Sequence, residues 1–270
     1  MKTKLSAALF VACTILVSPA FAQQSADTNA HPDESFGQGF TNKAEAKNLL
    51  QGMSREGKWV LYMDSNSNTT RDTNAPFYNL AIFKDNKVQG IARTYYRSGK
   101  PYFQIGYHDG KKNGLQKMYY EGGKLKGEAT FSDGKQTGVT KTYYENGQLK
   151  GEYPFIEDKQ NGVAKEYYEN GQLKGEFPYT DGHQNGLEKD YFASGKLSGE
   201  YPFTTGKRNG ILKEYYESGQ IKREYPCTDD KKNGIYKEYF PDGKLQIQVT
   251  FTNGQAGDVN VYDESGKKIK

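Results

Sequence analysis

The sequence has little of the chemistry that most active sites require. Its 270 residues include three histidines, two cysteines and one tryptophan. The histidines are His31, His108 and His183, and none has an acidic or cysteine neighbour at a spacing that suits metal binding or proton transfer. Cys227 falls in an aromatic column of a repeat described below, and we interpret it as a small packed residue rather than a reactive thiol.

No serine–histidine–aspartate set and no phosphate-binding glycine loop stands out from the sequence. The acidic turns do not fit a calcium-loop pattern. We therefore predict a protein that is not an enzyme and holds no cofactor or metal.

Long apolar runs are also lacking, with one exception at residues 5–17. Lys2 and Lys4 precede this run, and a small-x-small motif ending at Ala22 follows it, which is typical of a signal peptide cleaved after Ala22. The run is too short for a membrane span. Cys13 leaves lipid anchoring as an alternative. We expect an exported protein located in the periplasm, on the cell surface or outside the cell.

Charge of one sign is not in excess. The chain carries 37 basic and 33 acidic residues, and loss of Lys2 and Lys4 with the signal peptide lowers the formal charge from +4 to +2. This balance does not predict nucleic-acid binding.

Tyrosine, phenylalanine and glycine are abundant, with 22, 14 and 31 copies. Glycine recurs in two series with a step of 24 residues. The first series is Gly90, Gly114, Gly138, Gly162, Gly186, Gly210 and Gly234, and the second is Gly99, Gly123, Gly147, Gly171, Gly195, Gly219 and Gly243. Turn signals that bracket two short runs in each period predict an all-β fold, an elongated single-layer antiparallel meander of 24-residue β-hairpin repeats.

The repeat at 161–184 shows the expected hairpin. Asn170 and Gly171 predict a two-residue turn in which both residues have positive φ. The turn at Asp181 and Gly182 is predicted to be longer and less defined. Pro178, which recurs as Pro154, Pro202 and Pro226, predicts that pairing between successive hairpins is interrupted or bulged there.

The two-residue turn sets a register. It places Tyr168 opposite Leu173 and Lys165 opposite Glu176, and the same Lys–Glu match recurs in the neighbouring repeats. One face would then carry Tyr168, Leu173, Gly175, Phe177 and Tyr179. The other would carry Val163, Lys165, Tyr167, Lys174 and Glu176.

Five segments are predicted along the chain: a signal peptide at 1–22, a disordered segment at 23–40, a short helix and linker at 41–56, the repeat array at 57–266 and a tail at 267–270. The helix is expected over 41–51, where it would cover the first edge strand. The array comprises seven clear repeats and two imperfect ones, about 16–18 strands. The first repeat is lengthened by an insertion at 65–75.

The motif Tyr-Tyr-Glu-Asn-Gly-Gln-Leu-Lys-Gly-Glu, at 143–152 and 167–176, resembles the bacterial variant of the MORN repeat. The resemblance covers about 57–266. It implies a β-hairpin array used for contacts with proteins or membranes. Chains of such repeats often carry a YwqK-like antitoxin label, but an antitoxin must meet its toxin inside the cell, which the export signal opposes.

One of two tyrosine columns is a candidate aromatic platform for binding. Its members are Tyr96, Tyr120, Tyr144, Tyr168, Phe192, Tyr216 and Phe240. Stacking within the sheet would also explain the column. As a platform it favours a protein partner, because tyrosine combines apolar area with a hydroxyl. Binding to cell wall or glycan, or to an anionic lipid surface, is an alternative, and the single Trp59 counts against the glycan.

Overall fold

The computed structural model describes residues 39–270, so the predicted signal peptide, Cys13, His31 and most of the 23–40 segment lie outside it. The described strands are antiparallel and are assigned to one open sheet in which they follow the chain as a meander. The chain divides into two compact units. The first contains the described residues up to Leu125 together with Phe131–Gly134, and the second contains Lys126–Thr130 and Lys135–Lys270.

One short 3₁₀ turn, η1, at Lys43–Glu45, precedes the strands of the first unit. They are β1 (Leu49–Gln51), β2 (Ser54–Met63), β3 (Thr69–Thr70), β4 (Phe77–Lys84), β5 (Lys87–Tyr96), β6 (Pro101–His108), β7 (Lys111–Lys112) and β8 (Gly114–Tyr119). Strand β9 (Leu125–Ser132) contributes residues to both units.

The second unit continues with regular hairpins. Its strands are β10 (Lys135–Tyr143), β11 (Leu149–Ile156), β12 (Lys159–Gln160), β13 (Gly162–Tyr167), β14 (Leu173–Thr180), β15 (His183–Gln184), β16 (Gly186–Tyr191), β17 (Leu197–Thr204), β18 (Lys207–Arg208), β19 (Gly210–Tyr215), β20 (Ile221–Thr228), β21 (Lys231–Lys232), β22 (Gly234–Tyr239), β23 (Leu245–Thr252) and β24 (Gln255–Val261). Residues 39–270 contain 24 strands, more than predicted, because short breaks divide single predicted strands in two.

The helix predicted over 41–51 is wrong except for the single turn η1, which the side chain of Asn42 caps by accepting from the Ala44 amide at 3.0 Å. Residues Leu49–Gln51 instead form β1, which pairs with the start of β2. Asn48 adopts a φ of 48°, which ends any helix at this point.

This segment nevertheless covers the edge of β2, as expected of the helix. The Lys58 carbonyl accepts from the amides of Lys47 and Asn48 at 3.1 and 3.2 Å, and the Asn48 side chain accepts from the Val60 amide at 2.9 Å. The predicted insertion at 65–75 contains β3, which pairs with the end of β2. The open backbone groups of this edge strand are thereby satisfied.

The two turns of each hairpin are exchanged relative to the prediction. Asp181 and Gly182 form the tight two-residue turn, with φ of 49° and 82° between the paired residues Thr180 and His183. At the other end the loop has three residues, because the Tyr168 amide donates to the Gln172 carbonyl at 2.9 Å and only Gly171 has a positive φ of 84°. This is a turn followed by a left-handed glycine, the usual three-residue hairpin.

Because this loop has three residues rather than two, the pairing of the two strands beside it differs from the predicted register. Lys165 lies opposite Glu176, as predicted, but a bulge between Glu166 and Tyr167 places Tyr167 opposite Leu173. Leu173 therefore shares a face with Lys165 and Tyr167 rather than with Tyr168.

The predicted break at the proline column is confirmed. Hairpins pair at Phe155 with Gln160 and again at Glu152 with Lys165, and the intervening residues are out of register. The Asn161 amide donates to the carbonyl of Pro154 at 3.0 Å. Gly162 follows with a φ of 111°, so the first glycine series marks a bulge rather than a turn.

A glycine at this bulge is required for space as well as for φ. In the next repeat, a Cβ added to Gly186 would lie 2.9 Å from Cγ of Pro178. The proline that cannot donate to the sheet and the glycine that accommodates its ring therefore form one structural pair.

The sheet has two faces, named here by their residues in one repeat. The outer face carries Val163, Lys165 and Glu176, and the inner face carries Ala164 and Gly175. Side chains on the inner face are the more buried, whereas Val163 is half exposed. No helix among residues 39–270 is long and apolar enough to cross a bilayer.

Candidate interaction surface

Lysine and glutamate alternate along the outer face of the second unit, at positions that pair directly across neighbouring strands. This charge ladder comprises Lys141, Glu152, Lys165, Glu176, Lys189, Glu200, Lys213, Glu224 and Lys237. The closest charged atoms of Lys165 and Glu176 are 3.8 Å apart. Such exposed pairs each contribute little stability, about 0.2–1 kcal/mol, so their main effects are on register and solubility.

A tyrosine row runs beside the ladder and is bonded to it. The hydroxyl of Tyr167 donates to Glu152 of the preceding hairpin at 3.2 Å, and that of Tyr215 donates to Glu200 at 2.7 Å. Tyr143, Tyr191 and Tyr239 make the same bond. Burial, followed by the hydrogen bond to Glu200, raises the pKa of Tyr215 to about 12. Each glutamate thus holds two neighbouring hairpins together.

On the other side of the ladder the outer face carries an aliphatic stripe. In the second unit it consists of Val139, Val163, Leu187, Ile211 and Ile235, each 43–57% exposed. Four of them lie opposite a proline, as Val163 does opposite Pro178. A regular row of large aliphatic side chains left in water is a common mark of a surface that contacts other molecules.

The column predicted as an aromatic platform belongs neither to the tyrosine row nor to the aliphatic stripe. Most of its hydroxyls form hydrogen bonds within the sheet. The hydroxyls of Tyr144, Tyr168 and Tyr216 each donate to the backbone carbonyl of a tyrosine 23 residues further along, at 2.7–2.8 Å. Tyr96 makes the same bond at 3.4 Å. All seven members of the column are partly buried. The column therefore connects successive hairpins, and its role in binding stays a prediction.

Rings on the inner face cover glycines. A Cβ added to Gly175 would lie 2.5 Å from a ring carbon of Phe177, and Gly151 and Gly199 meet Tyr153 and Tyr201 in the same way. In the repeat after that of Gly199, Arg223 takes the place of this glycine, and its guanidinium pairs with Glu214 at 2.5 Å. The hydrogen bond to Glu214 raises the pKa of Arg223. The inner face is thus filled by its own side chains.

The remaining candidates for chemistry have structural surroundings. Cys227 is buried in a cluster with Tyr201 and Leu212, and burial raises the pKa of its thiol, which disfavours the reactive thiolate. His108 and His183 lie at the ends of strands beside two-residue turns. Within residues 39–270 no group of three His, Cys, Asp or Glu side chains is arranged to hold a metal ion.

Sequence reasoning placed Val163 on one face with Lys165 and Tyr167 but did not assign it a role in binding. The 24-residue recurrence of valine, leucine and isoleucine was visible, but only the structure shows these side chains exposed beside the ladder. The positions of glycine and proline in the sequence could not reveal this exposure, because it depends on which segments pack over the face.

These features define a class of protein: a tandem array of antiparallel β-hairpins whose sheet presents repeated side-chain rows. The family model described as MORN repeat variant matches seven segments, at residues 88–109, 112–133, 136–157, 160–181, 184–204, 208–226 and 232–253. These segments cover more than half of the chain, which belongs to the MORN repeat variant family. No curated protein matches the sequence.

Proposed function

We propose that this chain is an exported, non-enzymatic repeat scaffold that binds a protein partner in the periplasm, at the cell surface or outside the cell. Membership of the MORN repeat variant family supports a repeat scaffold for contacts with proteins or membranes. The choice of a protein as the partner rests on one observation, the aliphatic stripe that lies beside the ladder of lysine and glutamate. Apolar side chains flanked by polar ones of alternating sign suit a protein surface.

An anionic membrane is the less suited ligand. Lipid head groups attract clusters of basic residues, but each ladder lysine of the second unit faces a glutamate on a neighbouring strand. Binding to anionic vesicles that disappears at high salt would contradict the choice of a protein partner.

The location has a direct test. A C-terminally tagged full-length chain is expressed in its native host, cells are fractionated, and the N-terminus of the recovered protein is sequenced. We expect the mature protein to begin at Gln23 and to be absent from the cytoplasm, as the motif ending at Ala22 predicts. A stable cytoplasmic pool that retains residues 1–22 would refute export.

The partner has a separate test. The mature chain is immobilised and exposed to envelope and extracellular extracts, with an unrelated β-sheet protein as the control. We expect a specific protein to be retained by the repeat array and not by the control. Retention of purified cell wall or polysaccharide in place of a protein would contradict the proposal.

A further inference from the structure

The first unit shows how its own outer face is occupied. The N-terminal segment, defined here as residues 39–48, lies across the outer face of β2, β4 and β5. Phe40 is buried, and the ammonium of Lys58 lies 5.4 Å from the centroid of its ring. Gly39 lies so close to the Ile91 carbonyl that no Cβ would fit there. Lys58 on β2 and Ile91 on β5 both take the position of the aliphatic stripe, so Phe40 and Gly39 lie beside that position.

Two charged side chains of the N-terminal segment also contact this face. The ammonium of Lys43 lies 4.5 Å from the ring centroid of Tyr62, at the position of the tyrosine row on β2, and 5.0 Å from that of Tyr78 opposite it, so it makes a cation–π contact with both rings. Glu45 forms an ion pair with Lys58. The segment therefore presents, in order, an aromatic group, a cation and a carboxylate.

The residues beneath the segment are adapted to a permanent cover. Val60 and Leu80 pair with each other at the ladder position, where the second unit has lysine and glutamate. Leu80 has no exposed surface, and Ile91 is more buried than any member of the stripe in the second unit. Uncharged residues at these two positions avoid the cost of burying ionised groups, whereas Arg93 keeps a charge at the ladder position of β5.

The second unit offers two of these contacts without a cover, those of the aromatic group and of the cation, because aliphatic residues stand there at the position of Lys58. Its stripe is about half exposed, its tyrosine row continues, and its ladder supplies both charges. The charges of the ladder, which serve register and solubility, also suit an occupant that binds reversibly from water. A nucleic acid or a lipid surface offers only negative charge and matches this pattern less well.

We infer that the outer face of the second unit binds an extended segment of a partner protein that carries an aromatic side chain followed by a basic one. The aromatic group packs on the aliphatic stripe, and the basic group lies over the tyrosine row. This inference rests on the proposed function, and it assigns the surface and the chemistry of the partner.

The test uses a fluorescently labelled peptide with the sequence of residues 39–48, titrated by anisotropy against the full mature chain. We expect saturable binding. Replacing the stripe residues Leu187 and Ile211 together by serine should weaken it by about tenfold or more, because two aliphatic contacts are lost. The control is Ile269→Ser, which changes an equally exposed isoleucine in the tail of the same unit.

A second arm tests the peptide itself. A peptide with Phe40→Ala should bind about tenfold more weakly, and one with Lys43→Gln should also lose affinity. All chain variants are compared by circular dichroism to establish that they fold. Because the substituted side chains are exposed, the fold is expected to be unchanged.

The outcomes separate this inference from the proposed function. Absent peptide binding, or equal binding to the stripe variant and the parent chain, would overturn the assigned surface. If a protein partner were still recovered by the parent chain and by the stripe variant alike, the scaffold function would stand and this surface would be wrong. If neither peptide nor protein were bound, both would fail.

Discussion

Of the eight largest side chains with less than 2% exposure among the described residues, six belong to the first unit and two to the second. Those of the first unit are Met63, Leu80, Phe83, Val88, Thr94 and Ile105, and those of the second are Thr140 and Leu212. The first unit combines this apolar core with an outer face that is covered over β2, β4 and β5, whereas Leu115 on β8 is 45% exposed. The second leaves its outer face open and connects its hairpins by hydrogen bonds from tyrosine to glutamate and to the backbone.

The difference shows that one hairpin skeleton can be stabilised in two ways. In the first unit, stability comes from removing apolar surface from water, which requires variation in sequence and a covering segment. In the second, each hairpin repeats the same bonds to its neighbours, so stability is approximately a sum of nearest-neighbour contributions. The regular unit can therefore keep a face available for binding.

The strongest test of this comparison is Leu80→Ala in the first unit. Leu80 has no exposed surface, so its truncation should destabilise that unit by about 2–5 kcal/mol through lost burial and a residual cavity. At the equivalent ladder position of the second unit, Glu176→Ala should cost less than about 1.5 kcal/mol. Hydrogen exchange followed by mass spectrometry reports each unit separately. Similar losses in the two units would contradict the distinction.

A smaller effect is expected from Gly199→Ala on the inner face of the second unit. The added Cβ would lie 2.6 Å from two ring carbons of Tyr201, so the ring must move, at a cost of about 1–3 kcal/mol. The neighbouring Ser198→Ala is the matched control and should be nearly neutral. Local hydrogen exchange in β16 and β17 measures the loss. An unaffected Gly199→Ala chain would show that the ring does not need the glycine.

The tyrosine row should make the second unit sensitive to alkali. The pKa of Tyr215 in the folded chain is about 12, above its ordinary value of 10, because of burial and the bond to Glu200. The stabilisation from this group is complete below pH 10 and is lost as the pH rises from about 10 to 12. At neutral pH Tyr215→Phe should cost about 0.5–1.5 kcal/mol.

Tyrosinate absorbance and thermal unfolding, recorded together between these pH values, provide the measurement. The Tyr215→Phe chain should lose less stability over that range than the parent chain. Equal losses in both chains would mean that the hydroxyl of Tyr215 does not report the tyrosine–glutamate contact.

Much of this fold could be predicted because it repeats. The 24-residue step of glycine and the Lys165–Glu176 match depend on local turns and on side-chain alternation, which the sequence displays directly. The exchanged turns show the limit. Asn-Gly and Asp-Gly favour the same turn, and the choice between two and three loop residues depends on the bulge beside Tyr167.

The surface was harder to predict than the sheet. The N-terminal segment has no β-like alternation, and its two alanines, with Leu49 and Leu50 that follow it, are equally typical of a helix. Only tertiary contacts of Phe40 and Lys43 fix its path. The same contacts decide which part of the outer face is covered and which part of the aliphatic stripe remains exposed.

The smallest expected effect concerns the charge ladder, and it tests whether the ladder stabilises the second unit at all. Lys165 faces Glu152 on one side and Glu176 on the other, and its charged atoms lie 3.8 Å from those of Glu176. Because these side chains are substantially exposed, Lys165→Met should change the stability of the unit by only about 0.2–1 kcal/mol.

Salt provides the independent check, since at about 1 M ionic strength the screening length falls to about 3 Å. The difference in the free energy of unfolding between variant and parent should then disappear. Protection from hydrogen exchange at Leu80 and its neighbours in the first unit should not decrease. A loss well above 1 kcal/mol that persists in salt would mean that the ladder supports the fold, and would remove the argument that its charges are kept for contact with another molecule.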